Sequence, residues 1–114
     1  MDKPNNLLII WSSADREVAL SNAFMYARAS ARNAWWDTIR FLIWGPSAKL
    51  LIGDEELLAG VMEMMDNGVQ VLACRACADM YGTSAQLEEL GVNVMYVGEY
   101  VTKMLKNGWV TLTY

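Results

Sequence analysis

The segment Cys74-Arg75-Ala76-Cys77-Ala78-Asp79-Met80-Tyr81-Gly82 holds both cysteines of the chain, which has no histidine. The thiolate is the nucleophilic form of cysteine, and a Cys-x-x-Cys spacing at a helix start is one setting that lowers the thiol pKa. Without an imidazole, little else in the chain can do covalent chemistry near neutral pH. Arg75 favours a thiolate beside it; Asp79 opposes one unless it turns towards Arg75 or caps a helix. Other readings stand beside the reactive one. Cysteine is among the most buried residue types, so both residues can be small members of the core. A structural zinc site wants about four Cys/His ligands, so two chains would have to share it, and no metal is expected. A thioredoxin-like site has a proline facing its pair, whereas Pro4 and Pro46 both precede this one.

The elements that must position the pair follow from the apolar pattern. Val69 to Ala73 is a short apolar run leading into Cys74, which puts that thiol at a strand tip. Leu7 to Trp11 is a first buried strand, meeting Ser12-Ser13 as the N-cap of a helix over residues 14–32. On that helix Leu20, Phe24, Ala27 and Ala31 fall on one face. Thr38 to Trp44 is a second strand, stopped by Gly45-Pro46, and residues 47–53 suggest a single helical turn. Asp54 caps a helix whose buried stripe is Leu57, Val61 and Met64. Thr83-Ser84-Ala85-Gln86 has the form of a capping box and opens a helix ending at Gly91. Residues 92–97 form strand four, residues 99–106 a helix, and residues 109–113 strand five. Gly68, Gly91 and Gly108 each separate a helix from the next strand, where a left-handed residue is favoured.

Strands alternating with helices imply crossover connections and a parallel sheet. The expected fold is therefore α/β: a five-stranded, mostly parallel sheet with helices on both faces. With the common order 2-1-3-4-5, the switch point falls between strands one and three. Cys74 would then share a crevice with the Ser12/Ser13 loop and with Gly45-Pro46-Ser47. Ser12 and Ser13 can cap a helix or bind an anion at its N-terminus. No glycine-rich nucleotide fingerprint is present.

The bulk numbers narrow the function classes. A chain of 114 residues is one domain. Its 54% hydrophobic content includes eight Met and five Trp, more bulk than a small core hides. Some of it is expected at a subunit interface, hence a homo-oligomer. The net charge of −4, with no basic run, lacks the footprint of a nucleic-acid binder. No apolar stretch approaches a membrane span. The start, Met1 to Asn6, lacks the design of a signal peptide, and two cysteines suit a reducing cytosol. Trp35, Trp36, Trp44 and Trp109 read as core or interface, and Met62, Met64 and Met65 as a packed helix face. Glu55-Glu56 and Glu88-Glu89 read as solvated helix faces.

The stretch Val71-Leu72-Ala73-Cys74-Arg75-Ala76-Cys77-Ala78-Asp79-Met80-Tyr81-Gly82-Thr83-Ser84 resembles the DsrE/DsrF-like sulfur-relay family, and within it the YchN-type branch. The matching pattern is an apolar strand, Cys-x-x-Cys-x-Asp-x-x-Gly and a Ser. Gly45-Pro46-Ser47 and the ending Gly108 to Tyr114 extend the likeness to nearly the whole chain. It implies a flavodoxin-like three-layer fold assembled as a homo-trimer or homo-hexamer. It also implies a sulfurtransferase-type relay in which Cys74 carries sulfur as a persulfide between donor and acceptor proteins or small thiols. Cys77 matches a second cysteine found in some members and would resolve the adduct. Asp79 and Gly82 match motif positions read as structural, a cap or charge partner and a tight turn. Arg75, Ser12 and Ser13 are supporting residues in this scheme, and no cofactor is needed. The competing reading is a homo-oligomeric assembly or small-ligand-binding protein with both cysteines packed inside.

Overall fold

A computed structural model of the chain describes residues 5–114. Pro4 and most of the segment read for a signal peptide lie outside the described residues. The strands are β1 (Asn6–Trp11), β2 (Thr38–Ile43), β3 (Gln70–Cys74), β4 (Asn93–Met95) and β5 (Val110–Thr113). All four strand pairings are parallel, in the order β4-β3-β2-β1-β5. Between β1 and β2 lie α1 (Arg16–Val18), a π-helical stretch (Ala19–Phe24) and α2 (Met25–Arg32). The others are α3 (Ser47–Ile52), α4 (Glu55–Asp66), α5 (Arg75–Tyr81), α6 (Ser84–Glu89) and α7 (Gly98–Lys106). The molecule is thus a flavodoxin-like three-layer α/β sandwich. Among the described residues no helix is long and apolar enough to cross a membrane.

Alternation along the strands sorts the core into two parts. Leu7, Ile9, Phe41, Ile43, Val71 and Ala73 face the larger part, where Phe24, Leu51, Met64, Ala78 and Leu87 bring in the helices of the first three connections. Leu8, Ile10, Leu42, Leu72 and Cys74 face the smaller part, covered by Val101 and Met104 of α7. Only the connection from β4 to β5 crosses this second face. The reason is topological: β1 to β4 advance in one direction and β5 returns to the far side of β1. Right-handed crossovers then put α7 opposite the other helices.

The strand order differs from 2-1-3-4-5. There β3 would touch β1; here it lies between β2 and β4. Connections leave β3 and β4 over opposite faces, so the crevice that suits ligands opens beside Cys74 and Met95, which are register partners. Cys74 keeps a switch-point position, with different neighbours.

The helix over residues 16–32 contains a π-helical stretch, which rotates its buried stripe. Ala19, Ala23, Phe24 and Ala27 are buried, while Leu20 and Ala31 are only partly so. The cap is Asp15, whose carboxylate accepts from the Glu17 and Val18 amides, and not Ser12 or Ser13. Asp54 caps α4 as expected, accepting from the Leu57 amide. Thr83 closes no capping box. Its hydroxyl turns back to the Ala78 carbonyl at 3.4 Å, an oxygen that also accepts from the Gly82 and Thr83 amides. Gly68, Gly91 and Gly108 all have positive φ, as their placement after helices requires.

Ala34 also sits at positive φ, +52°. A Cβ in that region costs about 1–2 kcal/mol, and glycine avoids this at an entropic cost of about 0.5–1 kcal/mol. Ala34→Gly is expected to raise stability by up to about 1 kcal/mol in denaturant unfolding. A loss instead would mean that the local packing favours the methyl group.

Candidate thiol site

β3 runs straight into α5 with no loop between them, so its last residue is also the residue before the helix. Pleat alternation sends Ala73 to the larger core and Cys74 to the smaller one, among Leu72 and Val97 with Met95 and Trp44 alongside. Cys74 is 6% exposed. Cys77 follows one helical turn later and is half-buried. Both are free thiols. Burial pushes the Cys77 thiol above its ordinary pKa, and the neighbouring Cys74 side chain adds to this, while the nearby Gly45 backbone acts the other way.

Gly45 turns the chain after β2 in a left-handed conformation. It sits at φ +72°, and a Cβ there would lie 3.6 Å from the Ser12 carbonyl oxygen. The turn is pinned from below: the Ser47 hydroxyl donates to the Trp11 carbonyl at 2.6 Å, and the Ser47 amide donates to Ser12 O at 3.3 Å. The Gly45-Pro46 corner is thus fixed against the end of β1. A groove of about 520 Å³, lined by Pro46, Leu50 and Tyr81 among others, opens beside it. Neither cysteine lines this groove: Tyr81 packs with the larger part of the core and Cys77 with the smaller.

Arg75 is held away from the thiols. It donates to the Val94 carbonyl at 3.0 Å and to Glu88 at 3.1 Å, and lies 4.0 Å from Asp79. Its guanidinium therefore ties the first turn of α5 to β4 and α6. The reason is helix geometry: position 75 faces the larger core, with its tip reaching the α6 side, while Cys74 points to the other face of the sheet. Glu88, which reads as a solvated position in the sequence, is the partner that local pattern does not reveal. Asp79 is a charge partner of Arg75 and accepts from the Ser84 hydroxyl. Gly82 ends α5 in the left-handed conformation, φ +70°, as a tight turn requires.

Ser12 and Ser13 are not brought to the cysteines, because β2 intervenes. The Ser12 amide donates to the Tyr114 carbonyl at 2.7 Å, its hydroxyl to the same oxygen at 3.1 Å, and the Ser13 amide at 3.3 Å. They join the end of β1 to the residue after β5. Trp44 and Trp109 are half-buried beside the α7 layer, and the Trp109 ring stacks under Arg40, whose guanidinium carbon lies 4.6 Å from its centroid. Among the described residues, no group of three or more His, Cys, Asp or Glu side chains converges as a metal site would require.

Comparison with family models and with curated proteins finds no match. Solved structures do match. BT1422 of Bacteroides thetaiotaomicron, a conserved protein of unknown function, is 31% identical over 96% of this chain and 95% of its own, with a TM-score of 0.93. The YchN protein of E. coli, which has a DsrE-like fold, is 16% identical over 98% of this chain and 100% of its own, TM-score 0.75. MTH1491 of Methanobacterium thermoautotrophicum, also of unknown function, is 20% identical over 96% and 98%, TM-score 0.70. At these identities the last two show a shared fold.

Proposed function

The chain belongs to the same family as BT1422 of Bacteroides thetaiotaomicron, and from that premise we propose that it is a sulfur carrier of the DsrE/DsrF-like, YchN-type kind. The observation that carries this reading is the pair of free thiols three positions apart, one buried and one half-exposed, beside the crevice between β3 and β4. Such a pair can take one sulfur atom from a persulfide donor and yield it to an acceptor thiol. Attack on the outer sulfur of a persulfide forms a new S–S bond, breaks the old one and releases the donor thiolate. No cofactor takes part. A reducing cytosol suits the chemistry, because it keeps both thiols available.

Cys74 alone, with its 6% exposure, would also fit a packing role in a ligand-binding or assembly protein. What favours the relay is the second thiol three positions on, half-exposed on the first turn of α5. The direct test is intact-mass analysis of reduced protein after incubation with glutathione persulfide. A gain of about 32 Da, one sulfur atom, is expected in the native chain and not in the Cys74→Ser/Cys77→Ser double variant. If the native chain gains nothing, the relay reading fails.

The carrier is further proposed to act as a homo-trimer or homo-hexamer. Met80 and Tyr96 are 74% and 70% exposed, and large apolar side chains left in water are characteristic of subunit contacts. Light scattering should return three or six times the chain mass of 12.8 kDa. A monomer at all concentrations would remove this part of the proposal.

A further inference from the structure

We infer that the free edge of β5 is a docking surface for the β5 of a second copy, the two strands pairing antiparallel about a two-fold axis. This rests on the assembly proposed above and is independent of the sulfur chemistry; a trimer has no two-fold axis, whereas a hexamer of paired trimers has. The first ground is where the backbone of β5 points. In a parallel pair, alternate residues of a strand bond to one neighbour and the residues between them turn the other way. The Tyr114 amide donates to the Ile10 carbonyl at 2.7 Å, and the Tyr114 carbonyl accepts from the Ser12 amide, so position 114 is turned towards β1. By the same alternation Val110 and Leu112 turn towards β1, and Thr111 and Thr113 turn away from it. No strand lies on that side. The amides and carbonyls of Thr111 and Thr113 therefore have no partner among the described residues.

The second ground is that nothing guards this edge. Exposed sheet edges are ordinarily blunted by lysine, proline, a bulge or shortness. The other edge strand, β4, is short, with three residues. The β5 segment reads Trp109-Val110-Thr111-Leu112-Thr113-Tyr114, with no charged residue and no proline. Val110 is 37% exposed on it. Leu105 of α7 is exposed as well. Tyr100 and Lys103 line one flank of that helix together with Met95 of β4, and helix geometry puts Leu105 on the opposite flank, towards β5. The apolar border thus spans both strand and helix.

The free groups select the occupant and its register. Two antiparallel copies satisfy all of them when Thr111 exchanges both backbone bonds with the partner's Thr113, and Thr113 with the partner's Thr111. Leu112 then lies opposite the partner's Leu112 on the axis, and Val110 opposite the partner's Tyr114. Leu112 and Tyr114 already pack against the larger part of the core, and Val110 shares their face of the strand, so the pairing continues that core from one copy into the next. On the other face the threonines meet as Thr–Thr pairs, a favourable cross-strand combination. A register with Thr111 opposite the partner's Thr111 would need the Trp109 amide, which is already spent on the Met104 carbonyl at 3.1 Å. A patch that is complementary to itself is what a two-fold contact requires, and this favours a second copy over a foreign strand.

Two measurements test the contact. Light scattering of the native chain should return six times the chain mass of 12.8 kDa, and Thr111→Pro should halve it. Proline removes only an amide that β1 does not use, so each chain keeps its own sheet while the edge is blocked. The second measurement does not depend on how that variant folds. In the Cys74→Ser/Cys77→Ser chain exposed to oxidised glutathione, Leu112→Cys should form a disulfide with the same position of the second copy. It should do so at least about tenfold faster than Thr111→Cys, whose opposite is a threonine. A native trimer, or a hexamer that Thr111→Pro leaves whole, would overturn the β5 contact and leave an assembly standing. Equal trapping at positions 111 and 112 would overturn it too, and a native monomer would remove contact and assembly together. Sulfur gain from glutathione persulfide is read separately, so the relay stands or falls on its own.

Discussion

Phe24→Ala is expected to cost the fold about 3–5 kcal/mol, the range for removing a large aromatic ring from a close-packed core. Phe24 is 1% exposed and sits between two other rings. Trp11 meets it edge-on at 5.0 Å and 83°, and Phe41 at 5.6 Å and 81°. These arrangements suit the aromatic quadrupoles and contribute beyond area burial. The ring also presses on α4 at Gly60, where a Cβ would fall 2.7 Å from Phe24 Cδ2. Gly60→Ala should therefore destabilise despite a gain in helix propensity of about 1 kcal/mol, because overpacking costs about 1–3 kcal/mol. The two changes are coupled. Once the ring is gone, the added methyl group meets no clash and fills part of the void. Denaturant unfolding of both single variants and the double should show a double-variant loss smaller than the sum of the singles. Strict additivity would mean that Phe24 and Gly60 do not constrain each other.

Arg75→Met should be the next largest loss, about 1.5–3 kcal/mol, the range for hydrogen bonds that involve a charged group. The guanidinium holds the Val94 carbonyl and Glu88 together, with its side chain 29% exposed. Arg75→Lys should recover only part, since one ammonium on a flexible stem does not reproduce the planar fork. The second readout is the thiols. Freed from β4 and α6, the first turn of α5 opens more often, and labelling of buried Cys74 by iodoacetamide should accelerate. If stability falls and Cys74 labelling does not change, Arg75 supports α6 without positioning the cysteine pair.

Most elements of the fold are legible as local pattern. The apolar run before Cys74, the caps Asp54 and Gly82, and the glycines after three helices each depend on residues within one turn of one another. Hydrophobic period, capping chemistry and left-handed freedom are short-range effects, so they survive without knowledge of the fold. The π-helical stretch was not legible. It ends at Phe24, which packs against Trp11, Phe41 and Gly60, residues far apart in the chain.

For the site, the sequence by itself determined that two thiols follow a buried strand at helical spacing and that no imidazole can share their work. It did not determine what surrounds them. Strand order is a long-range property; moving β3 from beside β1 to between β2 and β4 took the Ser12/Ser13 loop away from the pair and set Met95 of β4 beside Cys74. Which thiol is covered was likewise decided only in three dimensions. Cys74 belongs to a pleated strand that α7 crosses, whereas Cys77 lies on a helix beyond that strand's end, where the crevice reaches water.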